Sequence, residues 1–367
     1  MKKINKVLKC IIFLILGIFI FQVLTYIFVP KWIDPMDPTT GRIKGFYNEN
    51  TNTIDALVVG ASGVGKGYSP IEVWNKYGIT SYNFGTSQQP ISFAYYLIKE
   101  SLNYQSIKAV VLDMDYAFAN EDTPEGEYRK LFDSMKLGKV KIEAINDEKL
   151  KIQEKDRLSY IFPLLRFHTR FKDIKKIDFK YSLNDKDKNF SYKGMAVSVD
   201  VNPYIDNEKY MEEKTGEEPV ISDENLYYIN EIIKLCKDRN IKLIFITIPT
   251  ATSGPVGNQV LDWSLDKSRQ IEKLANKSEI EFIDFNLPQI QEKIEFDWSK
   301  DSSDFGNHLN VYGAEKVSNY IGQVLSEKYN LENHRNNKEI ADDWNEIAKR
   351  YEERKVELEK SLINNQK

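Results

Sequence analysis

The chain opens with Lys2, Lys3, Lys6 and Lys9 and then runs apolar from Cys10 to Val29, with Gln22 as the most polar residue of the run. Such a run is long enough to cross a hydrocarbon core about 30 Å thick, and the lysines ahead of it predict a cytoplasmic N-terminus with the main body outside. Its exit, Tyr26-Ile27-Phe28-Val29-Pro30-Lys31-Trp32, carries no small-residue cleavage site, and the run is longer than the apolar part of a typical secretory signal. The expectation is an uncleaved single-pass anchor over 10–29, with Lys31 and Trp32 at the interface. Residues 30–53, with Pro, Asp, Thr and Asn, read as a polar stalk.

Beyond the stalk the pattern changes to short apolar runs alternating with helical periodicity. Asp55 to Gly60, Tyr82 to Gly85, Lys108 to Asp115, Ile241 to Pro249 and Ile280 to Phe285 each read as a buried strand. Helical patterns lie between them at 91–104, 226–236 and 265–277. Ser69-Pro70-Ile71-Glu72 announces another helix, with a serine cap, a proline in the first turn and a glutamate closing the box. Strands alternating with helices predict an α/β fold, a mainly parallel sheet with helices on both faces. The stretch from about 120 to 220 breaks the rhythm. It is rich in Lys, Asp and Glu with aromatic islands, and reads as a helical or irregular insertion capping the sheet. Residues 335–367 form a charged helix, which leaves 54–334 as the catalytic domain.

Composition narrows the function classes. Charged residues make up 29%, hydrophobic ones 41%, and the net charge is −4, a globular balance that does not point to nucleic acid. The two cysteines, Cys10 and Cys236, fall on opposite sides of the expected membrane boundary, so neither an intrachain disulfide framework nor a Cys-based zinc site is expected.

Two chemistries compete for the loop after the first strand. Gly60-Ala61-Ser62-Gly63-Val64-Gly65-Lys66-Gly67 matches a phosphate-binding G-x-x-x-x-G-K up to its last position, where Gly67 has no hydroxyl for magnesium. Gly67 and Tyr68 also separate it from the helix signal at Ser69-Pro70, and the outer face of a cell offers little nucleotide. The alternative is a nucleophile. A strand ending in Gly-x-Ser places the Ser62 hydroxyl at the carboxyl edge of a parallel sheet, where such folds build their sites. One of only three histidines, His308, lies in the Gly- and Asn-flanked loop Asp304-Phe305-Gly306-Asn307-His308-Leu309-Asn310, just before a helix. A neutral imidazole there can take the serine proton and return it to a leaving group.

The Gly60-Ala61-Ser62, Asn83-Phe84-Gly85-Thr86-Ser87 and His308-Leu309-Asn310 blocks together resemble the SGNH/GDSL hydrolase superfamily. Within it the chain looks most like membrane-anchored cell-envelope proteins that work beside membrane-bound O-acyltransferases in alginate acetylation and teichoic-acid D-alanylation. The resemblance runs from about residue 55 to 350 and takes in Pro163 to Arg170 and Asn333-His334-Arg335 with Trp344-Asn345. It implies a flavodoxin-like three-layer fold, Ser62 as nucleophile, His308 as base, and oxyanion donors from the Ser62 and Gly85 amides. Asn83, Asp113 and His168 are auxiliary candidates, Asp113 as a carboxylate that fixes the loop. The family's acid sits three residues before the histidine, where this chain has Phe305; Asp304 lies one residue further back. A bulge at Gly306 restores the geometry, or Asp301 serves, or the site is a Ser–His dyad. The family's asparagine donor has no counterpart directly after Asp113-Met114-Asp115, and Asn120 is distant. His334 reads as a surface residue.

The resemblance implies O-acyl transfer, most simply acetyl, to an exported polysaccharide, with a membrane-bound O-acyltransferase as donor partner and no cofactor. Two other functions remain open: an esterase or deacetylase using the same site with water as acceptor, and a non-catalytic envelope scaffold.

Overall fold

The computed structural model describes residues 2–30, 39–119, 123–180, 192–203, 220–251 and 265–365. Lys31, Trp32 and Asn120 lie outside the described residues. Five strands form the centre of the fold: β1 (Ala56–Gly60), β2 (Ser81–Gly85), β3 (Ala109–Asp113), β4 (Lys242–Thr247) and β5 (Glu281–Asp284). All pairings are parallel and the order is β2-β1-β3-β4-β5, which is the flavodoxin-like arrangement. Side-chain alternation sends Leu57, Val59, Val110, Leu112 and Phe245 into one apolar layer. Ala56, Val58, Val111, Ile244 and Ile246 enter the other. Helices cover both layers, which is why these strands read as unbroken apolar runs.

The helices in chain order are α1 (Lys2–Phe28), α2 (Thr39–Phe46), α3 (Ser62–Gly67), α4 (Pro70–Tyr77), α5 (Ile91–Ser101), α6 (Glu125–Phe132), α7 (Lys139–Asn146) and α8 (Glu154–Ile161). They continue with α9 (Leu164–Phe167), α10 (Lys176–Lys180), α11 (Asp223–Asp238), α12 (Leu265–Lys277), α13 (Pro288–Lys293), α14 (Val311–Gln323) and α15 (Lys338–Asn365). The expected capped helix is α4: the Ser69 hydroxyl accepts the Glu72 amide at 3.3 Å, and Pro70 opens the helix. In α1, Asn5–Phe28 is long and apolar enough to cross a membrane.

Two sequence expectations need correction, the extent of the stalk and the place of His334. The stalk ends before residue 39, because α2 packs Ile43 and Phe46 into the core beside β2 and buries Arg42 with them. The expected charged C-terminal helix is α15, and it packs on the α/β body: Trp344 and Tyr351 are fully buried, and Trp344 lies against Trp74 with ring centroids 5.3 Å apart. From residue 123 to 180 the insertion is a series of short helices, α6 to α10, joined by turns, as its helical or irregular pattern predicts. Its first half joins the core through Leu131, Phe132, Val140 and Ile145. His334 is a clasp rather than a surface residue, since its Nε2 meets Asp55 Oδ2 at 2.8 Å and ties the start of α15 to the foot of β1.

Candidate active site

The switch in strand order between β1 and β3 leaves a crevice at the carboxyl edge of the sheet, and Ser62 stands there as the first residue of α3. The sequence places the next helix signal only at Ser69. In the structure α3 follows β1 with only Ala61 between them. It can do so because Gly65 and Gly85 let two backbones touch: a Cβ on Gly85 would lie 2.1 Å from the Gly65 nitrogen. Asn83 braces the arrangement. Its Nδ2 donates to the carbonyls of Val64 and Tyr68 at 2.8 and 2.7 Å, and its Oδ1 accepts the Gly85 amide at 2.8 Å. The Gly85 amide is therefore already committed, which corrects its expected place among the oxyanion donors. Asn83, fully buried, is a brace and not a substrate contact.

A further brace has no signal in the sequence. The Arg42 guanidinium donates to the carbonyls of Gly65 (2.8 Å), Gly85 and Gly194, joining α2, α3, β2 and the turn at 192–195. It is 2% exposed. An isolated arginine in a stretch that reads as a stalk gives no periodicity from which to infer such a position.

On the far side of the crevice, Asn310 caps α14 by accepting the amides of Tyr312 and Gly313, both at 3.1 Å. That cap fixes the loop before it. Phe305 and Gly306 both take left-handed backbone conformations, with φ of 60° and 92°. The Gly306 amide is held by the buried Ser302 hydroxyl at 2.6 Å. The double left-handed step absorbs the extra residue between acid and histidine. Asp304 Oδ2 then contacts His308 Nδ1 at 2.6 Å while Asp304 Oδ1 accepts the His308 amide, also at 2.6 Å. His308 Nε2 meets Ser62 Oγ at 2.8 Å. With Asp304 accepting at Nδ1, the proton belongs on that nitrogen and Nε2 is left to accept from the serine. Asp301, the alternative acid, is engaged elsewhere: its Oδ2 accepts the Asp297 amide at 2.6 Å and pairs with Lys316 at 2.7 Å. Lys66, the lysine of the P-loop-like string, reaches toward Asp304 Oδ2 at 3.8 Å.

No family model matches the sequence, and no curated protein matches it. Among solved structures the chain is similar to a Bacteroides fragilis protein described as a "putative acylhydrolase", at 12% identity and a TM-score of 0.35, with 75% of this chain and 87% of that chain covered. A likeness that distant leaves the site's own geometry to carry the functional reading.

Two buried carboxylates lie behind the loop that follows β1. Asp113, fully buried, accepts the Asp115 amide at 3.3 Å and faces the amides of Ala61 and Ile248; burial pushes its carboxyl up to about 7 despite these donors. It holds the start of the Ser62 loop. Asp115 lies beside Gly63, whose Cβ, if built, would stand 3.8 Å from Asp115 Oδ2. Its Oδ1 is buried without a hydrogen-bond partner. Burial first, and then the neighbouring Asp113 and Asp284 charges, raise its pKa well above the carboxylate range, with only Lys267 opposing. His168 is not brought to the crevice. It is exposed on the insertion, with Nδ1 on the Leu165 carbonyl at 2.9 Å. Beside Lys66, Ser303 and Asp304 opens a cleft of about 290 Å³, closed on its other side by Val197, Val199, Leu358 and Leu362. Among the described residues no group of three or more His, Cys, Asp or Glu side chains is placed to hold a metal ion.

Proposed function

We propose that the protein is a serine-dependent acyl-transferring enzyme, anchored by α1 with its catalytic body on the outer side of a membrane. The observation that carries this reading is the continuous chain of contacts Asp304–His308–Ser62 at 2.6 and 2.8 Å. Ser62 Oγ attacks an ester carbonyl while His308 Nε2 takes its proton. The charged imidazolium is held by Asp304, and His308 then protonates the departing alcohol. The tetrahedral oxyanion develops over the first amides of α3, which have no acceptor within the helix. Asp115, buried beside Gly63 with an Oδ1 that has no hydrogen-bond partner, is the proposed further donor to this oxyanion in its protonated form. The resulting acyl-Ser62 is resolved by a second hydroxyl, activated by the same histidine.

The acceptor and the donor rest on the sequence resemblance: a hydroxyl of an exported polysaccharide, and a membrane-bound O-acyltransferase that supplies an acetyl group. The cleft beside Asp304 is the place for the acceptor. Water is the second reading, favoured by the 32% exposure of the Asp304 side chain, which leaves the site open to solvent. The test is to incubate the full chain in detergent with p-nitrophenyl acetate and map the adduct by mass spectrometry. Acetylation at Ser62, lost in Ser62→Ala and in His308→Ala, is the expected result. A folded protein with no adduct at Ser62 overturns the reading in favour of a scaffold. Release of the adduct by oligosaccharide, set against water alone, separates transferase from esterase.

A further inference from the structure

The middle of the insertion, α8 to α10, turns from the sheet toward α1: Tyr160 of α8 stays in the core against Phe132, and the helices after it leave the core. They pack against the C-terminal part of α1, through α9, α10 and the 3-10 turn His168–Lys172. The Phe162 ring meets Phe21 edge-on with centroids 6.1 Å apart. Arg170 closes the end of α1 by donating to the Phe28 carbonyl at 3.1 Å and the Ile27 carbonyl at 3.4 Å. Asp178 fixes the arginine from α10 at 2.8 Å. The contact is therefore built, with a ring pair along the helix and a guanidinium at its last carbonyls.

Depth follows from helix geometry. Phe21 precedes Phe28, the last residue of α1, by seven positions, or about 10 Å along the axis. If α1 spans a bilayer, as the proposed function has it, the Phe162 ring lies well below the outer edge of the hydrocarbon, while Arg170 sits at the headgroup level. The surface that α8 to α10 leave open has matching chemistry. Leu158 of α8, Phe162 at its end and Leu165 of α9 are 60%, 43% and 53% exposed, and Phe171 and Phe179 are each 60% exposed. In water this is an unexplained apolar surface; beside a membrane-spanning helix it is continuous with that helix's own lipid-facing side. Exposed Lys172, Lys175 and Lys176, with Asp173 among them, follow Arg170 closely in the chain and supply cations of the kind that meet headgroups.

We infer that α8 to α10 form a second membrane contact, a platform seated in the outer leaflet against α1 that sets the attitude of the catalytic body to the bilayer. The occupant of the exposed face is lipid: acyl chains on Phe162 and Leu158, headgroups on the lysines. The inference rests on the reading of α1 as a span, and the experiment separates the two. In a Cys10→Ser, Cys236→Ala background the full chain carries one probe site at a time, Leu16→Cys, Leu158→Cys, Phe162→Cys or Leu137→Cys. Each is labelled with nitrobenzoxadiazole and reconstituted into phosphatidylcholine–phosphatidylglycerol vesicles containing acyl-chain spin-labelled lipid. Leu137, 62% exposed on the catalytic body, is the reference outside the membrane. The expected result is quenching at Leu158→Cys and Phe162→Cys close to that at Leu16→Cys and several-fold above Leu137→Cys. Quenching at Leu16→Cys with both insertion sites at the Leu137→Cys level overturns the platform and leaves the span standing. No quenching at Leu16→Cys overturns the span and the platform with it.

Discussion

Asp304 reaches His308 although four positions separate them, because the chain spends two left-handed residues, Phe305 and Gly306, in between. Asp304→Asn is expected to lower kcat by about 10⁴ with little change in KM, since the imidazole loses the partner that fixes its tautomer. Asp301→Asn is the control. It breaks a buried pair with Lys316 and should cost about 1–3 kcal/mol of stability while kcat per folded molecule changes only a few-fold. If the two variants exchange these effects in parallel kinetic and unfolding measurements, Asp301 is the acid. Asp115 is tested by shape against chemistry: Asp115→Asn keeps a donor and should retain kcat within about tenfold, whereas Asp115→Leu removes it and should lose about 10²–10³. Equal losses in both would remove Asp115 from the oxyanion site. The sequence exposed Ser62 and His308 through their flanking glycines and asparagines. The bond between Asp304 and His308 was legible only as one of three alternatives, because a change of φ at two residues leaves no trace in spacing.

Between elements, the site is held by contacts that cross from the expected stalk into the crevice. Arg42 of α2 satisfies three carbonyls belonging to α3, β2 and the turn at 192–195. Removing a charged donor from a buried carbonyl costs about 1.5–3 kcal/mol, so Arg42→Met should destabilise the protein by at least about 3 kcal/mol in urea unfolding. A loss below about 1 kcal/mol would mean that α2 is a tether and not a brace. Strands and long helices were readable to within a few residues because their periodicity is written in every turn. Helix α3 was not. Six residues with three glycines carry no periodic signal, and the helix exists because β2 and Asn83 hold it in place.

At the scale of the molecule, buried carboxyls give stability a definite dependence on pH. Glu72, Asp113 and Asp133 are each pushed up to about 7, in every case chiefly by burial. Between their unfolded values near 4 and that folded value, the folded state holds more protons than the unfolded chain. Their stabilisation is complete below about pH 4 and is lost as pH rises through 7. Asp297, held down to about 2 by Lys300 and Ser299, acts in the opposite sense but is exposed and screened. Lys141, pulled down by burial to about 8, strengthens the fold only above that pH. Thermal unfolding of the full chain at constant ionic strength should therefore give a higher Tm at pH 5.5 than at pH 7.5, by roughly 2–4 °C for each kcal/mol. A higher Tm at pH 7.5 would show that these carboxyls are ionised in the folded protein.

The sequence alone determined the α/β class, the apolar N-terminal helix, the strand cores and the pair of blocks holding Ser62 and His308. These depend on periodicity and on local backbone chemistry, which neighbouring residues record. Tertiary structure decided what distance along the chain conceals: that Asp304 and not Asp301 contacts His308, that the Gly85 amide is taken by Asn83, that Arg42 and Trp344 belong to the body, and that the insertion divides between sheet and α1. Each is a contact between segments, fixed by which surfaces meet when the core closes, and a side chain's own neighbours in sequence do not encode it.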